Sequence, residues 1–359
     1  MQRLVQGNEA IFQGAVRAGA SFYSGYPISP SSEIMAEAAK YAANHPEFRF
    51  IQTEDEIAAA ACVIGAALAG AKAFTATSGP GFSLMQEAIG MAYRCEVPCV
   101  FVDVQRVGPS TGMPTMMAQG DLIQAQHGSH GDYYAIAFYP NSVAECFAIT
   151  ATAFNVAEEA RQPVILLSDA HLSHLYELVD LDAIEVPVAP REVPPLGGHK
   201  RHFTGLIADD AGVPRTSEAG VYKNWLAKVK ERSAAVAARH ALYEYRPNRQ
   251  ADTLLISFGI LSRTVLPLTA KYGYFRPIRM LPVLASELAA VALDYRHIVV
   301  VEANDGQYAG LVEQALKRYV HRVPVLGGKV SLNEISQRID ECLAPLGEQR
   351  LHRTYHDLG

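Results

Sequence analysis

An acidic cluster, Glu54-Asp55-Glu56, stands directly before an alanine-rich segment that carries Gly65. A carboxyl group held in an apolar pocket has a raised pKa and can donate a proton near neutral pH. Glu56 suits such a pocket, because Ile57 and four alanines follow it. The alternative is that the three acids only stabilise the N-terminus of the following helix through its dipole.

A second segment, Tyr26-Pro27-Ile28-Ser29-Pro30-Ser31-Ser32, combines a rigid turn with three hydroxyl groups. Ser29 as a helix cap and Pro30 in the first helical turn would explain it structurally.

Arg106 follows the apolar run Pro98 to Val104, where a guanidinium could bind a carboxylate through two parallel hydrogen bonds. A surface salt bridge is the other interpretation of Arg106.

His127 and His130 have the spacing of a metal-binding pair, but the sequence near them offers no third ligand. We therefore predict loop histidines at the mouth of a cleft, and no metal site. The five cysteines form no CxxC pair, so we do not expect an iron–sulfur or zinc site within this chain. We expect the cysteines to be buried structural thiols instead.

Composition sets broad limits on function. A chain of 359 residues with 49% hydrophobic content fits two to three domains. The net charge of −6 and the lack of long basic runs argue against a nucleic-acid partner, and the cluster His199-Lys200-Arg201-His202 is expected to be solvated. The N-terminus lacks an apolar signal core, and no window approaches the ~18 uninterrupted apolar residues of a membrane span. The expected location is cytoplasmic, without a membrane anchor.

Helices and strands alternate over the first ~175 residues, which predicts a doubly wound parallel sheet. The glycine-, serine- and proline-rich turns all follow predicted strands, where open α/β sheets place their ligands. The predicted helices are Gly7–Ala20, Ala58–Ala71, Phe82–Tyr93 and Val143–Ala160, and the predicted strands are Phe22–Tyr26, Lys72–Thr77, Pro98–Val104 and Pro163–Ser168, the last of which closes the sheet.

The rest of the chain divides into a linker and a smaller α/β unit. Residues 177–195 are rich in proline and acids and predict an extended linker, and a helix from Glu218 to Tyr243 bridges to the next unit. Buried strands at Thr253–Gly259 and Ile298–Glu302 and a helix at Ala309–Val320 are predicted within that unit. The predicted division is 1–176, 177–249, 250–345 and a tail at 346–359.

Four motifs together resemble the pyrimidine-binding domain of thiamine diphosphate enzymes, specifically the alpha subunit of 2-oxoacid:ferredoxin oxidoreductases. They are Gly25–Ser32, Glu56 with Gly65, Thr75-Ala76-Thr77-Ser78-Gly79-Pro80-Gly81-Phe82-Ser83 and Gln105–Gly112. The run Ala118-Gln119-Gly120-Asp121 is similar to the 2-oxoglutarate type of this family. The C-terminal unit resembles the transketolase C-terminal-like domain that the family also has.

The resemblance implies roles for individual residues. Glu56 stands nine residues before Gly65, as the acid that protonates N1′ of the cofactor's pyrimidine does in the family. Ser29 replaces the threonine of the family's YPITPSS motif and is expected, with Arg106, to bind the 2-oxoacid. His127 or His130 is a candidate for the second carboxylate of 2-oxoglutarate. The further cofactor contacts implied are Tyr26, Pro27, Ile28, Ser78, Gly79 and Phe82.

The resemblance also implies that this chain carries only half of the cofactor-binding site. The Gly-Asp-Gly and Asn-Asn elements that hold Mg²⁺ and diphosphate in thiamine enzymes are missing here, so a beta subunit would supply them together with a [4Fe-4S] cluster. Gamma and ferredoxin-like delta subunits, coenzyme A as a substrate and ferredoxin as electron acceptor are implied in the same way. The expected activity is oxidative decarboxylation of a 2-oxoacid to an acyl-CoA, only in the presence of partner subunits.

Two alternatives stay open at this point. Met116-Met117-Ala118 stands where one set of family members has Lys-Thr-Glu, which leaves no cation there and would suit a branched-chain or aromatic 2-oxoacid. The chain could also be a non-catalytic structural subunit, although such a role would need neither Glu56, Ser29 nor Arg106. The sequence does not fix the substrate, the number of partners, the electron acceptor or the direction of the reaction.

Overall fold

A computed structural model describes residues 1–197 and 203–344. The basic cluster at 199–202 and the predicted tail at 346–359 lie outside the described residues. The strands of the described part are β1 (Arg3–Gln6), β2 (Phe22–Gly25), β3 (Arg49–Gln52), β4 (Ala73–Thr77), β5 (Cys99–Val107), β6 (Met113–Met117), β7 (Ile136–Phe138), β8 (Pro163–Asp169), β9 (Tyr176–Val179), β10 (Tyr243–Arg246), β11 (Thr253–Ile256), β12 (Gly273–Pro277), β13 (Arg279–Leu281), β14 (His297–Glu302) and β15 (His321–Pro324).

Helices separate most of these strands, and one long helix follows the linker. They are α1 (Gly7–Arg17), α2 (Ser32–Ala42), α3 (Glu56–Leu68), α4 (Gly79–Leu84), α5 (Gln86–Arg94), α6 (Leu122–His127), α7 (Val143–Ala160), α8 (Ala170–His174), α9 (Ala219–Arg239), α10 (Leu261–Val265), α11 (Ala285–Ala292), α12 (Gln307–Leu316) and α13 (Leu332–Leu343), with short 3₁₀ helices at Leu181–Ala183 and Leu266–Ala270. Within the described ranges, no helix is long and apolar enough to cross a membrane.

The first sheet confirms the predicted doubly wound parallel arrangement. Its strand order is β13-β7-β8-β5-β4-β2-β3, and β6 pairs with β5 at the side. The strands from β7 to β3 in this order pair in parallel, so their carboxyl ends meet at one edge. Side chains of β5 alternate between two cores: Val100 and Val102 face the core that contains α1 and α7 residues, and Phe101 faces the core built with α3 and α5.

A second sheet of five strands, ordered β10-β12-β11-β14-β15, forms the C-terminal unit. Its central strands β11, β12, β14 and β15 are parallel, and β10 joins antiparallel at the edge. The two sheets are physically linked, because β13 leaves the C-terminal unit and pairs antiparallel with β7 of the first sheet. β1 and β9 form a separate antiparallel pair.

Several local predictions were wrong. β8 does not close the sheet but lies inside it, because β7 and β13, which are only three residues each, continue past it. The helix predicted from Phe82 to Tyr93 is broken at Met85 into α4 and α5. The bridging helix ends at Arg239, and Tyr243 begins β10 instead. Of the five free cysteines only Cys99 and Cys146 are buried, and the other three are half-buried.

The linker is not a free tether, because buried side chains of the first domain hold it. Lys72 Nζ donates to the Ala189 carbonyl at 2.6 Å, and Asn155 Nδ2 donates to the Pro187 carbonyl at 2.6 Å. Arg191 Nη1 pairs with Glu158 at 2.7 Å. These contacts fix the linker against the first domain.

Candidate functional site

The acidic cluster divides into one buried carboxyl and two exposed ones. Glu56 opens α3 and its residue is 5% exposed, whereas Glu54 and Asp55 are exposed. Asp55 caps the helix by accepting a hydrogen bond from the Ala58 amide at 2.7 Å. The capping interpretation therefore applies to Asp55, and Glu56 is left for another role.

Burial raises the pKa of the Glu56 carboxyl, since desolvation penalises its charged form most strongly; Asp55 adds to the rise, and Glu56's own backbone amide and Arg106 oppose it. The group therefore keeps a proton more readily than an exposed glutamate does. A buried acid of this kind is what a proton donor to a bound cofactor requires.

Gly81 in α4 permits this arrangement. A Cβ at this position would lie 2.3 Å from Glu56 Oε1 and 2.2 Å from Thr77 Oγ1, so any side chain would displace the carboxyl. The hydroxyls of Thr77 and Ser78 are buried and have no hydrogen-bond partner within the described residues. Sequence reasoning missed Gly81 and Thr77, although both stand in the motif around Ser78 and Gly79.

The structure brings Arg106 and Ser29 together. Arg106 is 7% exposed, and its Nη1 donates to the Ser29 carbonyl at 2.6 Å. The salt-bridge interpretation does not apply within the described chain, because this partner is a backbone carbonyl. Ser29 itself is exposed, so its hydroxyl is accessible beside a guanidinium that has further donors available.

The other predicted cofactor contacts fall into two groups. Tyr26 and Pro27 are exposed, Ile28 is half-buried, and all three precede Ser29 in the loop between β2 and α2. Phe82, by contrast, is 0% exposed and lies in the core built with α3. In this chain its ring therefore packs beneath the site and does not line it.

A cavity of about 520 Å³ lies between the two sheets beside Arg106. It is lined by Gly79, Pro80, Ser83, Arg106, Val107, Gly108, Pro109, Ser110, Ala118, Gly120, Asp121, Gln124, Ala303, Asn304, Asp305, Gln307, Leu326 and Gly327. Both structural units thus contribute to one cleft, as ligand sites between domains commonly do.

Buried amides hold the two walls of this cavity together. Gln119 donates from Nε2 to the Phe258 carbonyl at 2.9 Å and accepts from the Ala303 amide at 2.8 Å. Asn304 Nδ2 donates back to the Gln119 carbonyl at 2.7 Å, and Gln307 Nε2 donates to the Gly120 carbonyl at 2.5 Å. The loop that carries Asp121 is consequently fixed by the C-terminal unit.

Asp103, which is fully buried, and Asp121, which is half-buried and lines the cavity, form an interacting pair of carboxyl groups. Asp103 is 0% exposed, and both of its oxygens and Oδ2 of Asp121 lack a donor in hydrogen-bond geometry within the described residues. Desolvation raises the pKa of both groups, and the neighbouring carboxylate raises that of Asp103 further. Neighbouring carboxylates resist being ionised together, so we expect the pair to keep a proton to a higher pH than an isolated aspartate does.

The two histidines do not join this cleft. His127 is exposed and lines a separate cavity with Tyr134 and Lys230. His130 is also exposed and lines another cavity with Trp225. The prediction that they border the cleft of Arg106 was wrong for the described chain, because α6 ends at His127 and the chain turns away toward α9.

Comparison with known proteins gives a consistent set of similarities. Residues 13–241 match the family described as pyruvate flavodoxin/ferredoxin oxidoreductase, thiamine diphosphate-binding. The chain is 38% identical to the 2-oxoglutarate synthase subunit KorA of Methanothermobacter marburgensis, covering 91% of this chain and 95% of the relative. It is 33% identical to the ketoisovalerate oxidoreductase subunit VorB of the same organism, covering 94% and 97%.

Two solved structures are also similar to this chain. A 2-oxoglutarate:ferredoxin oxidoreductase from Magnetococcus marinus, with 2-oxoglutarate, coenzyme A and succinyl-CoA bound, superimposes with a TM-score of 0.87 at 29% identity, over 95% of this chain and 65% of that chain. A split gene transketolase superimposes with a TM-score of 0.60 at 14% identity, over 94% and 98%, which shows the fold alone. The predicted α/β class, with a thiamine diphosphate-type domain and a transketolase C-terminal-like domain, is confirmed.

Proposed function

Because the chain belongs to the pyruvate flavodoxin/ferredoxin oxidoreductase family, we propose that it is the alpha subunit of a multi-subunit oxidoreductase acting on 2-oxoglutarate. The reaction is oxidative decarboxylation with coenzyme A to succinyl-CoA and CO₂, with electrons passed to ferredoxin. The observation that carries this proposal is the buried Glu56 carboxyl, held against Gly81 and close enough to Arg106 for their charges to interact, while Arg106 in turn bonds the Ser29 carbonyl.

The residues fit thiamine diphosphate. A buried acid with a raised pKa at Glu56, the absence of a side chain at Gly79, and the orphaned hydroxyl of Ser78 offer room and polar groups for a pyrimidine ring. When bound, this cofactor supplies the nucleophilic carbon and the electron sink that the loss of CO₂ requires. Glu56 would hold the proton at the pyrimidine N1′ of the bound cofactor, and its burial would keep that proton from water.

Arg106 and Ser29 bind the carboxylate next to the 2-oxo group. The guanidinium uses one Nη1 donor for the Ser29 carbonyl, which fixes its orientation and leaves donors for a carboxylate. The Ser29 hydroxyl is exposed on the same loop and adds a hydrogen bond. Arg106 lies on strand β5 and bonds the backbone of the loop that carries Ser29. Little conformational ordering of the two groups is therefore needed when substrate binds.

The second carboxylate of 2-oxoglutarate needs a cationic partner, since a bare buried carboxylate costs several kcal/mol. With His127 and His130 in other cavities, we assign this partner to a basic residue of the beta subunit. The branched-chain alternative is supported by the VorB relative at 33% identity. Met116 and Met117 would be its apolar lining, but they border a different cavity from Arg106.

Partner chains complete the site. We propose that a beta subunit contributes the Mg²⁺–diphosphate half of the site and a [4Fe-4S] cluster, with gamma and ferredoxin-like delta subunits beside it. Large side chains close in sequence to the site residues remain exposed and support a covered face: Tyr26 is 38%, Ile57 54% and Leu84 48% exposed. Ile57 directly follows Glu56, so a chain docked there would also exclude water from the acid.

The test is the substrate profile of the complex co-purified with its partner chains. We expect kcat/KM for 2-oxoglutarate to exceed that for 2-oxoisovalerate by at least about tenfold, because even one mismatched methylene in a binding pocket is worth about 1–3 kcal/mol and an unmatched polar group more. A preference for branched or aromatic 2-oxoacids would replace the proposed substrate and leave the reaction class intact.

A further inference from the structure

A buried asparagine of the first helix lies beneath the loop that carries Ser29. Asn8 is 0% exposed. Its Nδ2 donates to the Pro30 carbonyl at 2.8 Å and to Glu33 Oε2 at 2.9 Å. Both amide hydrogens are therefore used, one on the loop itself and one on the first turn of α2 that follows it.

Helix propensity does not explain why an asparagine stands at position 8. The N-cap of α1 is Gln6, so Asn8 lies within the first helical turn, where asparagine is a weak helix former. Its Oδ1 is buried without a partner in the described residues, which is unfavourable. An apolar residue would avoid both penalties, but it could not donate to Pro30.

The base on which Asn8 stands is rigid. A Cβ at Gly7 would lie 2.0 Å from the Leu172 carbonyl, and the Gly7 amide donates to the Leu175 carbonyl at 3.0 Å. The start of α1 is thus pressed against α8 and the residue after it. Movement of the Asn8 backbone would therefore disturb this contact.

The loop is consequently held at two successive carbonyls by two different elements. Arg106 of β5 donates to the Ser29 carbonyl at 2.6 Å, and Asn8 of α1 donates to the Pro30 carbonyl at 2.8 Å. The Ser31 hydroxyl closes the turn by donating to the Ile28 carbonyl at 2.9 Å. Without Asn8, Arg106 would be the one remaining side chain from another element that bonds the Ser29–Pro30 segment among the described residues.

We propose that Asn8 is a positioning residue of the 2-oxoacid site: it fixes the Ser29–Pro30 segment so that the Ser29 hydroxyl and the Arg106 guanidinium meet one carboxylate together. This inference rests on the proposed function. It assigns Asn8 no contact with substrate, and its effect reaches the substrate only through the loop.

The experiment compares Asn8→Ala with Asn155→Ala in the complete complex. Asn155 is a matched control, because this buried α7 residue also donates to a loop carbonyl, that of Pro187, and accepts from the Ala189 amide, but it holds the linker. Asn8→Ala should lower kcat/KM for 2-oxoglutarate by about 10- to 100-fold, mainly through KM, as expected for a small misplacement. Asn155→Ala should lower Tm without changing KM.

A double-mutant cycle with Ser29→Ala separates positioning from general destabilisation. If Asn8 acts through the loop, most of the Asn8→Ala effect on KM disappears in the Ser29→Ala background, whereas the Asn155→Ala effect on Tm persists there. Additive effects of Asn8 and Ser29, or kinetics of Asn8→Ala equal to those of Asn155→Ala, would overturn the inference.

Glu33→Gln provides a milder variant should Asn8→Ala fail to fold. Glu33 is partly exposed and orients the Asn8 amide, so we expect a KM increase of about two- to fivefold that also vanishes in the Ser29→Ala background; an unchanged KM contradicts the inference. A wild-type complex that turns over no 2-oxoacid would overturn the proposed function instead.

Discussion

Replacing Glu56 by glutamine removes the buried acid and preserves the shape of the side chain. The amide fills the space beside Gly81, where even a Cβ would lie only 2.3 Å from Oε1, so packing is retained. What is lost is a proton held by a carboxyl whose pKa is raised by burial. Glutamine cannot supply that proton at any pH.

The expected loss follows from the position of this group. A well-placed acid contributes about 10²–10⁴-fold to a rate, which corresponds to about 3–5 kcal/mol at 1.36 kcal/mol per decade. Water cannot substitute readily, because the Glu56 residue is only 5% exposed. We therefore expect kcat of the complex to fall by about 10³-fold in Glu56→Gln.

The assay combines turnover with exchange of the cofactor's C2 proton, followed by NMR in the assembled complex. Glu54→Gln is the matched control: it makes the same chemical change two residues away on an exposed side chain, and it should change both rates less than about twofold, as surface substitutions usually do. A larger effect in Glu54→Gln than in Glu56→Gln would refute the assignment of the acid.

The remaining predictions concern other residues of the candidate site. Gly81→Ala should abolish most activity while the complex still assembles, because its Cβ would displace the Glu56 carboxyl and the Thr77 hydroxyl; normal turnover would show that the close approach is not needed. Arg106→Lys, measured by steady-state kinetics, should raise KM for 2-oxoglutarate by about tenfold or more, since lysine keeps the charge but loses the fork; an unchanged KM would remove Arg106 from the substrate site. Asp103→Asn should flatten the dependence of stability on pH. The folded pKa values of Asp103 and Asp121 are raised, so the pair's contribution is present below the unfolded pKa and is lost as pH rises through the folded values, by up to about 1.4 kcal/mol per pH unit for one proton. Denaturant unfolding from pH 4 to pH 8 would measure this, and equal pH slopes for both proteins would exclude a shared proton.

The elements that the sequence predicted well are those with long, uninterrupted signals. α7 was predicted with its observed bounds, and β5 was recognised from its apolar run. β7 and β13 are three residues each, too short for periodicity to register, and therefore the position of β8 within the sheet was wrong. Met85 interrupts a helix without any glycine or proline at the break, which local pattern cannot reveal.

The residues of the candidate site likewise divide into those that the sequence could identify and those that it could not. Glu56 could be selected from three acids because the family resemblance places the acid nine residues before Gly65, and the structure buries it while exposing Glu54. Asn8, by contrast, touches Pro30 across 22 positions of sequence, so its contact depends on how α1 packs against the loop. The placement of His127 away from the cleft likewise follows from tertiary packing.

The most direct measurement is CO₂ release from 2-oxoglutarate labelled at its 1-carboxyl, assayed for the purified chain, for its partner chains and for the mixture. We predict coenzyme A- and thiamine diphosphate-dependent release with an added electron acceptor only in the mixture, because in the proposed function this chain supplies the acid and the substrate-binding loop and a beta subunit supplies the rest. Turnover by the purified chain alone, or a mixture that releases CO₂ from no 2-oxoacid, would contradict it.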